Sequence, residues 1–183
     1  MKKIFSIFAA ALIALGFVGC EKNDSVETYT HPTTVAGARA ELDMWYLLTD
    51  GVIEYLTENG RDLKAAEVKA TFDKVQRQAQ YAPDNLDNLN DCIDQLRRVC
   101  IPYAKSFFEW EKAFYISDLE DLLEPNDSEA CRKIIDKAIK QIKNIKWNNK
   151  KDTLQIVDLL TAISDISDRA EEELEAQRNR EIG

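Results

Sequence analysis

The feature that most constrains the fold is an unbroken helical stripe of apolar side chains. Its eight positions are spaced alternately by four and three residues, and all are apolar or aromatic: Leu89, Ile93, Leu96, Cys100, Tyr103, Phe107, Trp110 and Phe114. This spacing keeps every member on one face of an α-helix. Pro102 lies within the stripe and has no N–H for the carbonyl of Arg98. Because the stripe stays in phase across Pro102, we predict one third helix with a kink there.

The same period predicts the other helices. Amphipathic stretches at 35–59, 62–81 and 129–147, and another from residue 153, have apolar stripes and polar backs. A capping-box pattern at 117–120 predicts a short extra helix, and the charged last dozen residues are expected to fray. Short connections favour antiparallel neighbours, and few glycines and prolines weigh against an all-β fold. We therefore predict an all-α, antiparallel four- or five-helix bundle, a single domain over residues 34–183.

The N-terminus has the layout of an export signal. Lys2 and Lys3 precede Ile4–Val18, an apolar run of 15 residues. Gly19 and Cys20 follow this run directly. The run is short for a transmembrane helix, which needs about 20 residues, but it suits a secretory signal peptide.

The segment Phe17-Val18-Gly19-Cys20 resembles the lipobox of bacterial lipoproteins. That resemblance implies that residues 1–19 are a signal peptide and that Cys20 carries the lipid. Residues 20–33 lack an apolar period and are interpreted as the lipidated cysteine and a flexible tether. Residues 21–33 would reach about 43–47 Å when fully stretched. Charged residues directly after Cys20 resemble export tags of Bacteroidetes surface lipoproteins, which implies the outer membrane, on its periplasmic or surface face.

Charge is distributed unevenly along the chain. The net charge is −9, and it becomes −11 without Lys2 and Lys3, which argues against nucleic acid as a partner. Residues 131–151 nevertheless hold eight basic residues and one acid, a net +7, which leaves −18 on the rest of the mature chain. Helical spacing places Lys133, Lys137 and Lys140 opposite the isoleucine seam, with Trp147 on the same polar side. We interpret these four residues as a candidate binding face for a protein, an anionic glycan or anionic lipid.

Aromatic residues define a second candidate site. Six of them occur within residues 103–115, and two lie off the apolar stripe: Phe108 and Tyr115. These two are candidates for a groove between helices. A small-ligand carrier with an aromatic cavity is therefore one alternative function.

Motifs for catalysis are sparse. The lone histidine, His31, lies in the predicted tether, so paired-histidine metal motifs are excluded, and we predict no catalytic residue, metal or cofactor. The acids Glu109, Glu111, Asp118, Glu120 and Asp121 leave open a carboxylate-dependent hydrolase acting on cell-wall or glycan substrates. The preferred hypothesis is a non-catalytic, membrane-anchored binding or scaffolding module of the envelope.

Three further cysteines leave two alternatives. Cys92 and Cys100 would be about 12 Å apart along a helix, too far for a disulfide with each other. Either one of them pairs with Cys131, or the seam cysteines Cys100 and Cys131 are small buried apolar residues, which we favour.

Overall fold

A computed structural model describes residues 29–147 and 154–182 of the chain. Secondary structure in these ranges is entirely helical, which confirms the all-α fold. The elements are α1 (Val35–Glu58), α2 (Asp62–Tyr81), α3 (Leu86–Cys100), a 3-10 helix (Ile101–Tyr103), α4 (Ala104–Asp121), α5 (Glu129–Asn144) and α6 (Leu154–Ile182). None of the helices within the described ranges is long and apolar enough to cross a membrane. The predicted signal peptide and Cys20 lie outside the described residues.

Short polar side chains start three of the helices. Thr34 accepts a hydrogen bond from the backbone N–H of Gly37 at the start of α1, at 3.1 Å. Asn85 does the same for the N–H of Asn88 at α3, and Ser128 for the N–H of Cys131 at α5. Each cap satisfies a backbone donor that has no partner within its helix.

Gly60 ends α1 as the sequence predicts. Its φ is +67°, a left-handed conformation that glycine adopts without steric cost. The N–H of Gly60 donates to the carbonyl of Thr57, and the N–H of Arg61 donates to that of Leu56. This pair of bonds is the Schellman arrangement, which satisfies carbonyls at a helix end.

The predicted third helix is divided at its proline. Helical backbone runs through the whole region, but Ile101–Tyr103 forms a 3-10 helix between α3 and α4, with Pro102 in its first turn. A missing proline N–H removes one α-helical hydrogen bond, and tighter 3-10 bonds replace the regular pattern locally. The bend at Pro102 stays a prediction.

Two boundaries differ from the predicted ones. The capping-box pattern at 117–120 starts no separate helix, because α4 continues through it to Asp121. At the other end of the chain, α6 stays helical to Ile182, where we expected fraying. The reason is a set of contacts to the turn before α5. Arg178 binds Asp127 and the carbonyl of Leu122, and Glu181 accepts a 2.7 Å hydrogen bond from Ser128.

The chain divides into two compact units, residues 25–107 and 108–183, and the division falls within α4. In the first unit, α1, α2 and α3 contact one another pairwise. Trp45, Leu56, Val75, Ile93 and Leu96 are among its buried apolar residues. Phe107 packs so closely on Gly51 that a Cβ there would lie 2.6 Å from the ring, so only glycine admits this approach.

An extended N-terminal strap, defined as residues 29–33, contacts α1 and α3 of the first unit. The Tyr29 hydroxyl donates to Glu41 at 2.7 Å, and the guanidinium carbon of Arg97 lies 3.2 Å from the Tyr29 ring centroid. His31 Nε2 lies 3.0 Å from an Asp94 carboxylate oxygen, and Asn90 donates to the carbonyl of Pro32. These described residues of the predicted tether are thus held on the helices.

The second unit is built from most of α4 with α5 and α6, and α5 contacts α6. Its buried apolar residues come from all three helices and include Phe108, Leu119, Ile135, Ile142, Leu160 and Ile163. Burial of these side chains, each contributing on the order of 1.5–3 kcal/mol, is the main stabilising term.

Candidate functional site

The basic face of α5 lies opposite its buried seam. Cys131, Ile135, Ala138 and Ile142 point into the unit, as the helical period predicts. Lys133, Lys137 and Lys140 are exposed on the other side. Because a buried seam fixes the rotation of a helix, it also fixes which side chains face water.

These lysines are sparsely paired within the described part of the chain. Lys133 lies 2.7 Å from Glu129 one turn earlier, with both side chains strongly exposed. For Lys137 and Lys140, no ion pair with another described residue is found within 4.0 Å. Exposed positive charge therefore predominates along the middle of α5, where Asp136 is the one exposed acid.

Helix α6 adds a further cation beside this face. Lys137 and Gln141 of α5 share a cleft of about 60 Å³ with Arg169 and Glu173 of α6. The Nε of Arg169 donates to the carbonyl of Asp165 at 2.9 Å, which ties this guanidinium back to its own helix. Helix α6 thus contributes one cation, Arg169, and one acid, Glu173, to the cleft beside Lys137.

Trp147, the fourth residue of the candidate face, is only half exposed because it packs on the aromatic candidate Phe108. The two ring centroids are 5.8 Å apart at an angle of 44°. Beside them, the buried Lys112 amine donates to the carbonyls of Ile145 and Lys143, at 2.7 and 3.4 Å. A cation suits the negative end of a helix dipole, so Lys112 caps the C-terminal end of α5.

Phe108 and Tyr115 are both buried in the second unit, at 0% and 6% exposure. Tyr115 shares a hydrogen bond with Ser164 of α6, and burial raises the pKa of its hydroxyl to about 12. Its neutral hydroxyl therefore serves as a structural partner for α6. Neither ring lines the cleft between α5 and α6. The aromatic groove and the ligand carrier based on it stay predictions.

Among the five acids near α4, Glu111 is buried and the Asp118 side chain is half buried, while Glu109, Glu120 and Asp121 are exposed. Glu111 has an interaction partner within the structure, and Glu109 lies 3.9 Å from Lys112. A hydrolase built on these carboxylates stays a hypothesis. Within the described ranges, no group of three or more histidine, cysteine or acidic residues is placed to hold a metal ion.

The remaining sulfur and imidazole groups have structural partners. Cys92, Cys100 and Cys131 are free and buried. The Thr49 hydroxyl lies 3.3 Å from Cys100 Sγ, and burial raises the pKa of the Cys100 and Cys92 thiols to about 11. Such thiols stay protonated and unreactive at neutral pH. His31 lies in the strap beside Asp94, where it takes part in holding the strap in place.

The fold and the charged face thus define a class: an all-α protein with one net-positive helix on an acidic chain. Comparisons with protein-family models, curated proteins and solved structures find no match for this chain.

Proposed function

We propose that this chain is a lipid-anchored envelope protein whose basic α5 face binds an anionic partner without catalysis. In this proposal Cys20 carries the lipid and holds the protein in the outer membrane. The observation that carries the binding function is the exposure of Lys133, Lys137 and Lys140 along one side of α5. A partner with repeated negative groups, such as an anionic lipid surface or an acidic glycan, is complementary in charge to these three lysines.

The electrostatic argument rests on the separation of charge. Helix α5 carries five basic residues and two acids, a net +3, on a mature chain of −11, so its net charge is opposite in sign to that of the whole. Arg169 of α6 lies in the same cleft as Lys137, together with Glu173. At physiological ionic strength the Debye length is about 8 Å, so a partner senses the nearby lysines and not the net charge. The binding is therefore expected to weaken as salt is added.

The test compares two triple variants of equal charge change. Lys133, Lys137 and Lys140 are replaced by Glu in one, and Lys64, Lys69 and Lys74 of α2 by Glu in the control. The probes are phosphatidylglycerol-containing vesicles, with pure phosphatidylcholine vesicles for comparison, and an acidic polysaccharide. Each lysine near an anionic surface contributes about 1 kcal/mol, so the α5 variant should bind about a hundredfold more weakly. Equal losses in both variants, or no wild-type binding to either probe, would contradict the proposal.

The anchor is tested separately from the face. In cells given a clickable palmitate analogue, the wild-type protein should become labelled and Cys20→Ser should not. Cys92→Ala is the matched control, because it removes a buried thiol and should leave the labelling unchanged. Labelling that persists in Cys20→Ser would show that the lipid is attached elsewhere, and a wild-type protein without label would show that no lipid is attached.

A further inference from the structure

A groove of about 280 Å³ lies on the first unit, between α1 and α2 and beside the start of α3. Its apolar lining includes Leu42 of α1 and Ala79 of α2. Its polar lining includes Asp43 of α1 and the amides Gln76 and Gln80 of α2. Tyr46 also lines the groove, and its ring makes an edge-to-face contact with Phe72, with centroids 5.5 Å apart.

Asp43 has an unusual environment for a surface acid. Much of its side chain reaches solvent, yet the surrounding protein removes enough water from the carboxyl to raise its pKa. No hydrogen bond or ion pair joins Asp43 to another residue in the described part of the chain. The groove thus contains a carboxylate that has lost hydration without gaining a partner, a cost that a bound cation would offset.

The other titratable groups of the groove leave this charge uncompensated. Arg39 is the cation among the lining residues, and it is already paired with Asp84 and donates to the carbonyl of Pro83. The pKa of Tyr46 is raised to about 12, by burial first and further by the negative charge of Asp43. Tyr46 therefore stays neutral at physiological pH, and its ring offers a π face or edge beside a lone negative charge.

We propose that this groove binds a small organic cation, a primary ammonium on an apolar or aromatic body. The ammonium would pair with Asp43 within reach of the side-chain oxygens of Gln76 and Gln80, and the body would lie against Leu42 and Tyr46. Ligand pockets usually measure about 300–1,000 Å³, so this groove, just below that range, suits only a small ligand. This site is independent of the α5 face, which selects the opposite charge.

The experiment titrates the purified full-length protein with benzylammonium and with benzyl alcohol, which is nearly the same size but uncharged. Calorimetry gives the affinity, and NMR shifts of the Tyr46 ring and the Ala79 methyl group locate the ligand. We expect saturable benzylammonium binding with a Kd of about 1 mM, and at least tenfold weaker binding of benzyl alcohol.

Two variants with the same charge change complete the test. Asp43→Asn should weaken benzylammonium binding at least tenfold, whereas Asp50→Asn, two turns further along α1 and outside the groove, should change it less than twofold. Circular dichroism shows whether each variant is folded. Equal affinity for benzyl alcohol, an unchanged affinity in Asp43→Asn, equal losses in both variants, or no saturable binding by the wild type would each overturn the proposal.

Discussion

The two units share a helical architecture but distribute their charge differently. Residues 25–107 contain 13 acidic and 9 basic residues, and no stretch of this unit is as basic as residues 131–151. Residues 108–183 contain 18 acidic and 12 basic residues, and eight of these bases are concentrated in residues 131–151. Net charge is therefore similar, −4 and −6, while the local fields differ. The comparison shows that a charged surface is identified by the positions of its charged residues on the helices, and not by the net charge of the unit.

The units also hold their ends differently. The strap of the first unit is non-helical. In it, the Tyr29 hydroxyl donates to the Glu41 carboxylate, and the Arg97 guanidinium stacks on the Tyr29 ring. The end of α6 in the second unit uses Arg178, which binds Asp127, Glu124 and the carbonyl of Leu122. An extended segment needs side-chain partners for its own groups, whereas a helix satisfies its backbone internally and needs only a lateral contact.

The largest expected effect comes from neighbouring phenylalanines that belong to different units. Phe107→Ala and Phe108→Ala each remove a fully buried ring, so each should lower the free energy of unfolding by about 3–5 kcal/mol, measured in urea. Hydrogen exchange should then show lost protection mainly in α1–α3 for Phe107→Ala and in α5–α6 for Phe108→Ala. The same pattern of exchange in both variants would contradict the division into two units.

A smaller effect on the free energy of unfolding should distinguish the buried Lys112 from the exposed Lys133 of the second unit. Lys112→Met keeps the apolar stem but removes the donor to the Ile145 and Lys143 carbonyls, which should cost about 1–3 kcal/mol of unfolding free energy. Lys133→Met on the exposed face should stay within about 0.5 kcal/mol of wild type. Thermal or urea unfolding measures both. Similar losses would mean that Lys112 does not cap α5.

A comparable or slightly smaller effect is expected in the strap. Tyr29→Phe removes the hydroxyl that donates to Glu41, which Trp45 also contacts, so the loss should be about 0.5–1.5 kcal/mol. Trp45 fluorescence and the rate of proteolysis near residue 29 report on the strap. Tyr81→Phe, at a residue that is 92% exposed, is the control and should change neither. An unchanged proteolysis rate in Tyr29→Phe would show that this hydrogen bond does not hold the strap.

The smallest expected effect is on acid stability in the second unit. Hydrogen bonds from Arg178 and from the backbone of Glu124 lower the pKa of Asp127 to about 2. The usual value for aspartate is about 3.9, so the stabilisation is complete above that pH and is lost as the pH falls toward 2. Carboxyl NMR should find this low pKa, and Arg178→Gln should return it toward the ordinary value. An ordinary pKa in the wild type would contradict the contact.

The sequence predicts those parts of the fold that depend on local periodicity. The seam of α5 fixes the exposure of Lys133, Lys137 and Lys140, and Gly60 marks the end of α1, because both effects act within one or two turns. Arg169 was missed as a neighbour of Lys137 because it lies on another helix. The same holds for Arg178 and Asp127, which are 51 positions apart. Such contacts depend on how helices pack, and a hydrophobic period carries no information about them.

The strap also sets how far the folded chain can move from a lipid on Cys20, if the anchor is as proposed. Contacts at Tyr29 leave only residues 21–28 between that lipid and the first docked residue. Eight residues span at most about 26–29 Å, compared with about 43–47 Å for all thirteen. The effective concentration of a body on a flexible tether rises roughly as the −3/2 power of the tether's length. Docking the strap thereby raises the effective concentration of the protein at the bilayer about twofold without adding a membrane contact.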